Sequence, residues 1–315
     1  AAIDRTITAG GARLLERRLS SPSCDLGEIA SRQEAVRLLV EDRALADRLA
    51  DRLRKVPDMD RALSRLALDR GGPRDLAAIR NGLAEAEALA TLLADSTSSR
   101  LAGAAGALRG HGALIELLDA ALIAEPPLLA RDGGFVATGQ DAELDEARKL
   151  RDEGRSVIAG MQADYAAETG ISSLKIKHNN VLGYFIETTA THAERMLAPP
   201  LNARFIHRQT TASQVRFTTV DLGGLETKIL NAGNRALEIE KRIFERLRQA
   251  VLAAAGPIGE AARALAEIDL SGGLALLAIE ADWALPVVDA SRAFRVEGGR
   301  HPVVERALRR QGTPF

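Results

Sequence analysis

A single cysteine, Cys24, stands in 315 residues. That excludes an internal disulfide and a cysteine-built zinc site, and it suits a reducing compartment. Aromatic residues make up only 3% of the chain, so any core must be mainly aliphatic. Helices rich in Ala and Leu, with Arg and Glu outside, account for this composition. No apolar run reaches the roughly 18 residues that span a bilayer, and the first residues lack the pattern of a secretory signal. The expected location is the cytoplasm, with no membrane partner. Charge of either sign is not in excess: 42 Lys and Arg face 43 Asp and Glu, so only local charge can point to a partner.

Catalytic patterns are also missing. None of the five histidines, His111, His178, His192, His207 and His301, falls in an H-x-x-x-H or H-E-x-x-H pair, so no metal site is expected. No G-x-S-x-G elbow occurs. A P-loop needs a lysine directly after glycine to meet the phosphates. The six lysines follow Arg54, Arg148, Leu174, Ile176, Thr227 and Glu240. No catalytic residue is assigned, and this chain by itself is not expected to be an enzyme.

What the sequence does contain is a long seam. Leu222, Leu225, Ile229, Ala232, Ala236, Ile239 and Ile243 step alternately by three and four residues, the pattern of a helix laid along another helix. Glu226, Lys228, Asn234, Arg235, Glu238, Glu240, Lys241 and Arg242 lie between the rungs and suit a wet face. Helical from Asp221 to Ala255, the stretch would be roughly 50 Å long at 1.5 Å per residue. An upstream partner has the same spacing: Leu144, Ala147, Arg151, Gly154, Ile158, Met161 and Tyr165, with Arg151 and Gly154 its weak points. About fifty residues separate the two patterns, too many for an ordinary loop. A helix going out, a small β module at its tip and a helix coming back is the simplest geometry.

Before the seams, helices are predicted over Thr8–Leu19, from a D-x-x-E start at Asp25 and Glu28, over Asp42–Val56 and Asp58–Leu68, from Pro73 to Leu93, and in pieces between Leu101 and Leu122 around Gly103, Gly106, Gly110 and Gly112. Two short apolar runs about Asp132-Gly133-Gly134 read as a hairpin. Gln140 and Asp141 launch the outgoing helix. Ser271 to Trp283 reads as helix, and Pro286–Val288 and Phe294–Val296 as strands.

The segment between the seams is poor in acid. None occurs from Thr169 to Ile186 or from Met196 to Val220. Lys175, Lys177, Asn179 and Asn180 lie in or next to the first window's strand and turn. The second holds Arg204, Arg208 and Arg216 with Gln209, Thr210, Thr211, Ser213 and Gln214. Lysine and arginine neutralise phosphates, while hydroxyls and amides donate single hydrogen bonds to their oxygens. No helix here is aimed at base edges, so a sequence-independent grip on a nucleic-acid phosphate backbone is expected, at a tip with little core to serve. The alternative is a solvated basic loop.

Several stretches, taken in chain order, resemble the MutS family of DNA mismatch-repair ATPases: Gly10-Gly11-Ala12-Arg13-Leu14-Leu15, Asp60 to Leu68, Pro73-Arg74-Asp75-Leu76, Pro126 to Gly134, Glu143-Leu144-Asp145-Glu146, Gly183-Tyr184-Phe185-Ile186 and Gly299 to Glu305. The resemblance implies a mainly α fold, a helical core with two long antiparallel lever helices and a small inserted β-rich clamp. It divides the chain into core and outgoing lever (1–170), clamp (171–222), returning lever and core (223–282) and the start of an ATPase domain (283–315). It implies that the levers couple DNA grip to an ATPase. It further implies duplex DNA and a MutL-type protein as partners, a homodimer for the full-length protein with a monomer or weak dimer here, and ATP with magnesium as cofactors of the full-length family only. By the same resemblance Phe315 falls near the place of an adenine-stacking aromatic. The family's mismatch reader with its Phe-x-Glu motif, its connector domain and Walker A have no match in this sequence. The chain therefore reads as a fragment with neither ATPase activity nor mismatch specificity of its own. The competing reading is a helical scaffold that docks proteins and binds no DNA.

Overall fold

In the computed structural model, residues 2–179 and 181–312 are described, 309 and 310 by their backbone alone. Asn180 and Phe315, both named above, lie outside the described residues. Twelve α-helices and four strands are found among the described residues. The helices are α1 Ala9–Ser20, α2 Leu26–Glu41, α3 Arg43–Leu53, α4 Met59–Ala67, α5 Pro73–Leu92, α6 Ser99–Ala107, α7 Gly112–Ala121, α8 Ala142–Thr169, α9 Ala190–Leu197, α10 Val220–Ala253, α11 Ala255–Ala281 and α12 Pro302–Arg310. The strands are β1 Lys175–Asn179, β2 Gly183–Thr189, β3 Ile206–Thr210 and β4 Gln214–Thr218. The mainly α architecture with a small inserted sheet is as expected. Two compact units emerge, one of residues 1–135 and 244–315, the other of 136–243.

The first unit is built on α11, which packs against α1, α2, α3, α4, α5 and α6. A helix apolar on nearly every side belongs inside a core, and Ala261, Ala264, Leu265, Ile268, Leu270, Ala275 and Leu277 are all buried. It runs well upstream of the predicted Ser271 start. Pro257 stands in its first turn, where the missing N–H has no helical acceptor to lose. Asp269 is the polar exception. It is buried, and its carboxylate accepts from Ile7 N at 2.8 Å, Thr8 N at 2.7 Å and Thr8 Oγ1 at 2.6 Å. Burial pushes that carboxyl above the usual range, against the pull of those hydrogen bonds. Thr8 in turn caps α1 through Gly11 N. A Cβ on Gly11 would stand 2.1 Å from Asp269 Oδ2, so this approach needs glycine.

Ionic latches tie neighbouring helices. Arg13 of α1 grips Asp58 with both ends of its guanidinium at 2.8 Å and reaches Asp60 at 3.2 Å. Arg65 of α4 meets Asp75 of α5 at 3.1 Å, and Asp75 also accepts from Gly72 N. Asp25 caps α2 through Glu28 N. The reciprocal half of the predicted capping box is absent from the bonds seen, because the Glu28 carboxylate is taken by Arg32 and Arg100.

Other expectations change. Residues 130–132 form a 3-10 turn rather than a hairpin tip, with Gly133 and Gly134 both at positive φ. The chain leaving that turn pairs with the segment after α7, Ile123 N–H donating to Phe135 C=O at 3.0 Å. Gly103 and Gly106 sit inside α6 rather than breaking it. Residues 286–288 and 294–296 are irregular and pair with no strand among the described residues; Phe294 is 94% exposed. Without a neighbouring backbone to bond, apolar alternation alone does not make a strand.

In the second unit, α8 and α10 run antiparallel. Glu143 meets Arg235, Gly154 meets Ile229, and Tyr165 meets Thr219. The α10 seam faces inward as expected, with Leu222, Ala232, Ala236, Ile239 and Ile243 buried. The α8 seam does not keep one register. Glu153 departs from helical geometry at φ −119° and ψ 19°. Before this kink Leu150 takes the buried place, and Arg151 turns out to pair with Asp152. After it, Gly154 lets Ile229 come within 3.3 Å of where a Cβ would be. The supposed weak point is thus a point of close approach. Glu240, expected on the wet face, is buried, and Arg148 donates to its carboxylate and to Val136 C=O.

Removing the Asp269 acceptors leaves two backbone N–H groups without partners. Asp269→Ala should therefore cost about 2–4 kcal/mol, read as a lowered urea midpoint for helix unfolding, and Gly11→Ala should shift the same transition in the same direction.

Candidate nucleic-acid interface

The sheet has strand order β1-β2-β4-β3, all antiparallel. Its register fixes its two faces, since side chains alternate along each strand. Ile176 pairs with Ile186, and Ile186 with Phe217. These join Tyr165, Leu174, Met196, Phe205, Val215 and Leu222 in one cluster, with Met161, Leu225 and Ile229 packed against it. So the module has a substantial core of its own, contrary to the expectation of little core. Tyr165 stacks edge-on against Phe205 with centroids 5.3 Å apart, and its hydroxyl lies 2.6 Å from Thr219 Oγ1. Helix α9, which the sequence pattern did not foretell, contributes Ala193 and Met196 to this core.

The other face collects the polar candidates. Lys175 stands opposite Glu187, Lys177 opposite Phe185, and Arg216 between Glu187 and Gln209. At the centre is Glu187, only 5% exposed. Lys177 Nζ donates to its Oε1 at 2.6 Å and Arg216 Nε to its Oε2 at 3.2 Å. The Gln214 amide nitrogen, in the orientation its neighbours require, donates to Oε2 at 2.7 Å. Arg216 Nη1 also reaches Gln209 Oε1 at 2.8 Å, and the guanidinium covers the Phe185 ring at 4.6 Å. Burial pushes the Glu187 carboxyl up, but the hydrogen bonds and charges of Lys177 and Arg216 outweigh it and hold the group below the usual range. Lys175, Lys177 and Arg216 against Glu187 leave this face with a net positive charge.

The remaining predicted residues divide. Asn179 is engaged in its turn, its Oδ1 accepting from Val181 N at 2.9 Å and Leu182 N at 2.7 Å. Thr211 closes the β3–β4 turn through Gln214, with Ser213 exposed beside it. Thr210 Oγ1 lies 2.9 Å from His207 Nε2. Arg208 is exposed at the irregularity between His207 and Gln209. Arg204 stands apart from the sheet face, held between Glu168 and Asp221 at 2.9 Å each and over the Tyr165 ring at 5.6 Å. Among the described residues, Lys175 and Arg208 make no ion pair.

Glu187 escapes a reading by composition because it sits one residue past the acid-free window. The strand alternation of Gly183 to Thr189 carried the available signal, since it puts Phe185 and Glu187 on one face. No group of His, Cys, Asp and Glu able to hold a metal ion occurs among the described residues. No lysine of the sequence follows a glycine, the setting a P-loop gives its lysine.

The family model described as MutS domain III matches residues 1–275. The chain belongs to the MutS family. It is 70% identical over its whole length to the DNA mismatch repair protein MutS of Paracoccus denitrificans (strain Pd 1222). It is 67% identical over its full length to that of Cereibacter sphaeroides (strain ATCC 17025 / ATH 2.4.3), and 66% over 99% of its length to that of Dinoroseobacter shibae. In each case it spans 36% of the relative's length. No described helix is long and apolar enough to cross a membrane.

A carboxyl held low by its partners stabilises the fold above the ordinary glutamate range, and that stability is lost as pH falls through the lowered native value. The melting temperature of the second unit should therefore hold from neutral pH into weak acid and drop below it. Glu187→Gln should lose part of that drop, as followed by thermal melts at stepped pH.

Proposed function

We propose that residues 171–222 form a clamp that grips the backbone of duplex DNA without sequence preference, through the outer face of the four-stranded sheet and the β3 edge. One observation carries this reading. The face opposite the core gathers Lys175, Lys177, Gln209, Gln214 and Arg216 around Glu187, with Arg208 at its edge. Phosphates need cations and single-bond donors of this kind, whereas base reading needs an element that enters a groove. We assign the closest contacts to Lys175 and Arg208, the two cations of this set with no acidic partner among the described residues.

Helices α8 and α10 are read as levers between this grip and the helical unit. In the whole protein they would pass DNA occupancy to an ATPase, with a MutL-type partner and a second copy as further associates. The part of the chain from 283 onwards is read as the beginning of that ATPase. We read ATP turnover as belonging to the remainder of the whole protein, a reading supported by the lack of a P-loop setting at any of this chain's lysines.

Anisotropy of a labelled duplex, titrated at two salt concentrations with and without one mispair, tests the proposal. Binding should weaken steeply with salt and ignore the mispair. Arg208→Ala and Lys175→Ala should each weaken binding and flatten the slope of log K against log salt by about 0.9 at most, the value of one lost phosphate contact. Absence of binding at low salt would favour the scaffold reading.

A further inference from the structure

Lys177 and Arg216 face a choice of anions. Both are bound to Glu187, yet neither is used up by it. An ammonium has three donors and a guanidinium five. Glu187 takes one from Lys177, and from Arg216 it takes Nε while Gln209 takes Nη1. The Lys177 side chain remains 52% exposed, so a phosphate can reach it without any opening of the sheet.

We propose that Glu187 competes with DNA phosphate for Lys177, Arg216 and Gln214, and so holds down the affinity of the clamp. This rests on the duplex-binding reading and deepens it.

Three observations support the assignment. First, a buried carboxylate is a costly way to hold a sheet together, because its desolvation offsets much of its Coulomb gain and an apolar side chain often serves as well. Phe185, two residues earlier on the same face, shows that the face accepts an apolar group beneath Arg216. Second, the interactions are alike. Carboxylate and phosphate both make charge-assisted hydrogen bonds to the same donors, so a phosphate reaching Lys177 or Arg216 meets a cation whose charge Glu187 already offsets. Third, the same device recurs away from the sheet face, where Glu168 and Asp221 hold Arg204. Three cations of this module thus carry built-in acidic partners.

The test compares the wild-type chain with Glu187→Gln in the duplex titration. Removing the competitor should tighten binding about three- to tenfold at low salt. It should also steepen the salt slope by about one to two, as Lys177 and Arg216 turn to phosphates. Glu194→Gln, which alters an exposed acid of the same unit that holds neither cation, should leave affinity within about twofold. Adding Lys177→Met to Glu187→Gln should cancel much of the gain. If the wild-type chain binds and Glu187→Gln binds equally or more weakly, the competition is wrong and the clamp reading stands. If neither chain binds at low salt, both fall. Should Glu187→Gln fail to fold, the wild-type protein decides. Its glutamate carboxyl carbons, labelled with 13C, report the Glu187 titration. With duplex bound, that titration should move up in pH as its partners leave, and an unchanged titration overturns the proposal.

Discussion

A sheet that must bury one face has little freedom with the other. Ile176, Ile186, Val215 and Phe217 lie in register and turn to Tyr165, Phe205 and Leu222, so their alternate neighbours are turned out together. Sliding any strand by one residue would send its cations into the core and its apolar residues to water. The polar face is therefore positioned by the hydrophobic one. Covering that core also takes the ends of α8 and α10, which supply Ile158, Tyr165 and Leu222. The sheet module is consequently one folded body with the adjoining ends of α8 and α10.

On the outer face, the balance of charges governs what can bind. Three cations and one buried acid give a modest positive field, and the acid is placed where it touches two of the three. In the proposed clamp, such a face would attract a polyanion without binding it tightly, and contacts to phosphates would carry no information about base sequence. Arg204 shows the same balance by a different route, since its two acidic partners come from α8 and α10 rather than from the sheet. In a chain with almost no net charge, the positive field of this face is thus a local imbalance, and a small one.

The stretches that carry the family resemblance prove to be joints. Arg13 and Asp60 meet each other, as do Arg65 and Asp75. Gly11 makes room for Asp269. Glu143 and Glu146 stitch α8 to α10 through Arg235 and Lys228. Exposed pairs of this kind add about 0–1 kcal/mol each, so their value lies in fixing which helix faces which. Asp269 differs, because a buried acceptor with three donors fixes the entry of α1 outright.

Local order was legible in the residues themselves. The three-four spacing of α10, the Asp and Thr starts of the early helices, the proline that opens α5 and the alternation of β1 and β2 are all rules of neighbours along the chain. The acid-free windows likewise marked Lys175, Lys177, Arg208 and Arg216 as a basic group, and the ordered motifs named the family. What needed the tertiary structure was every question of partnership. Glu187 became central only when β1 and β4 closed on either side of β2. Glu240 left the wet face only when Arg148 crossed to it, and Arg151 left the seam because Glu153 broke the register. The irregular stretch near Phe294 kept its apolar side chains exposed for want of a neighbouring strand. Periodicity reports which residues share a face. Whether a charge on that face is free, paired or buried depends on what the rest of the chain brings within about 3 Å, and that distance is set by packing.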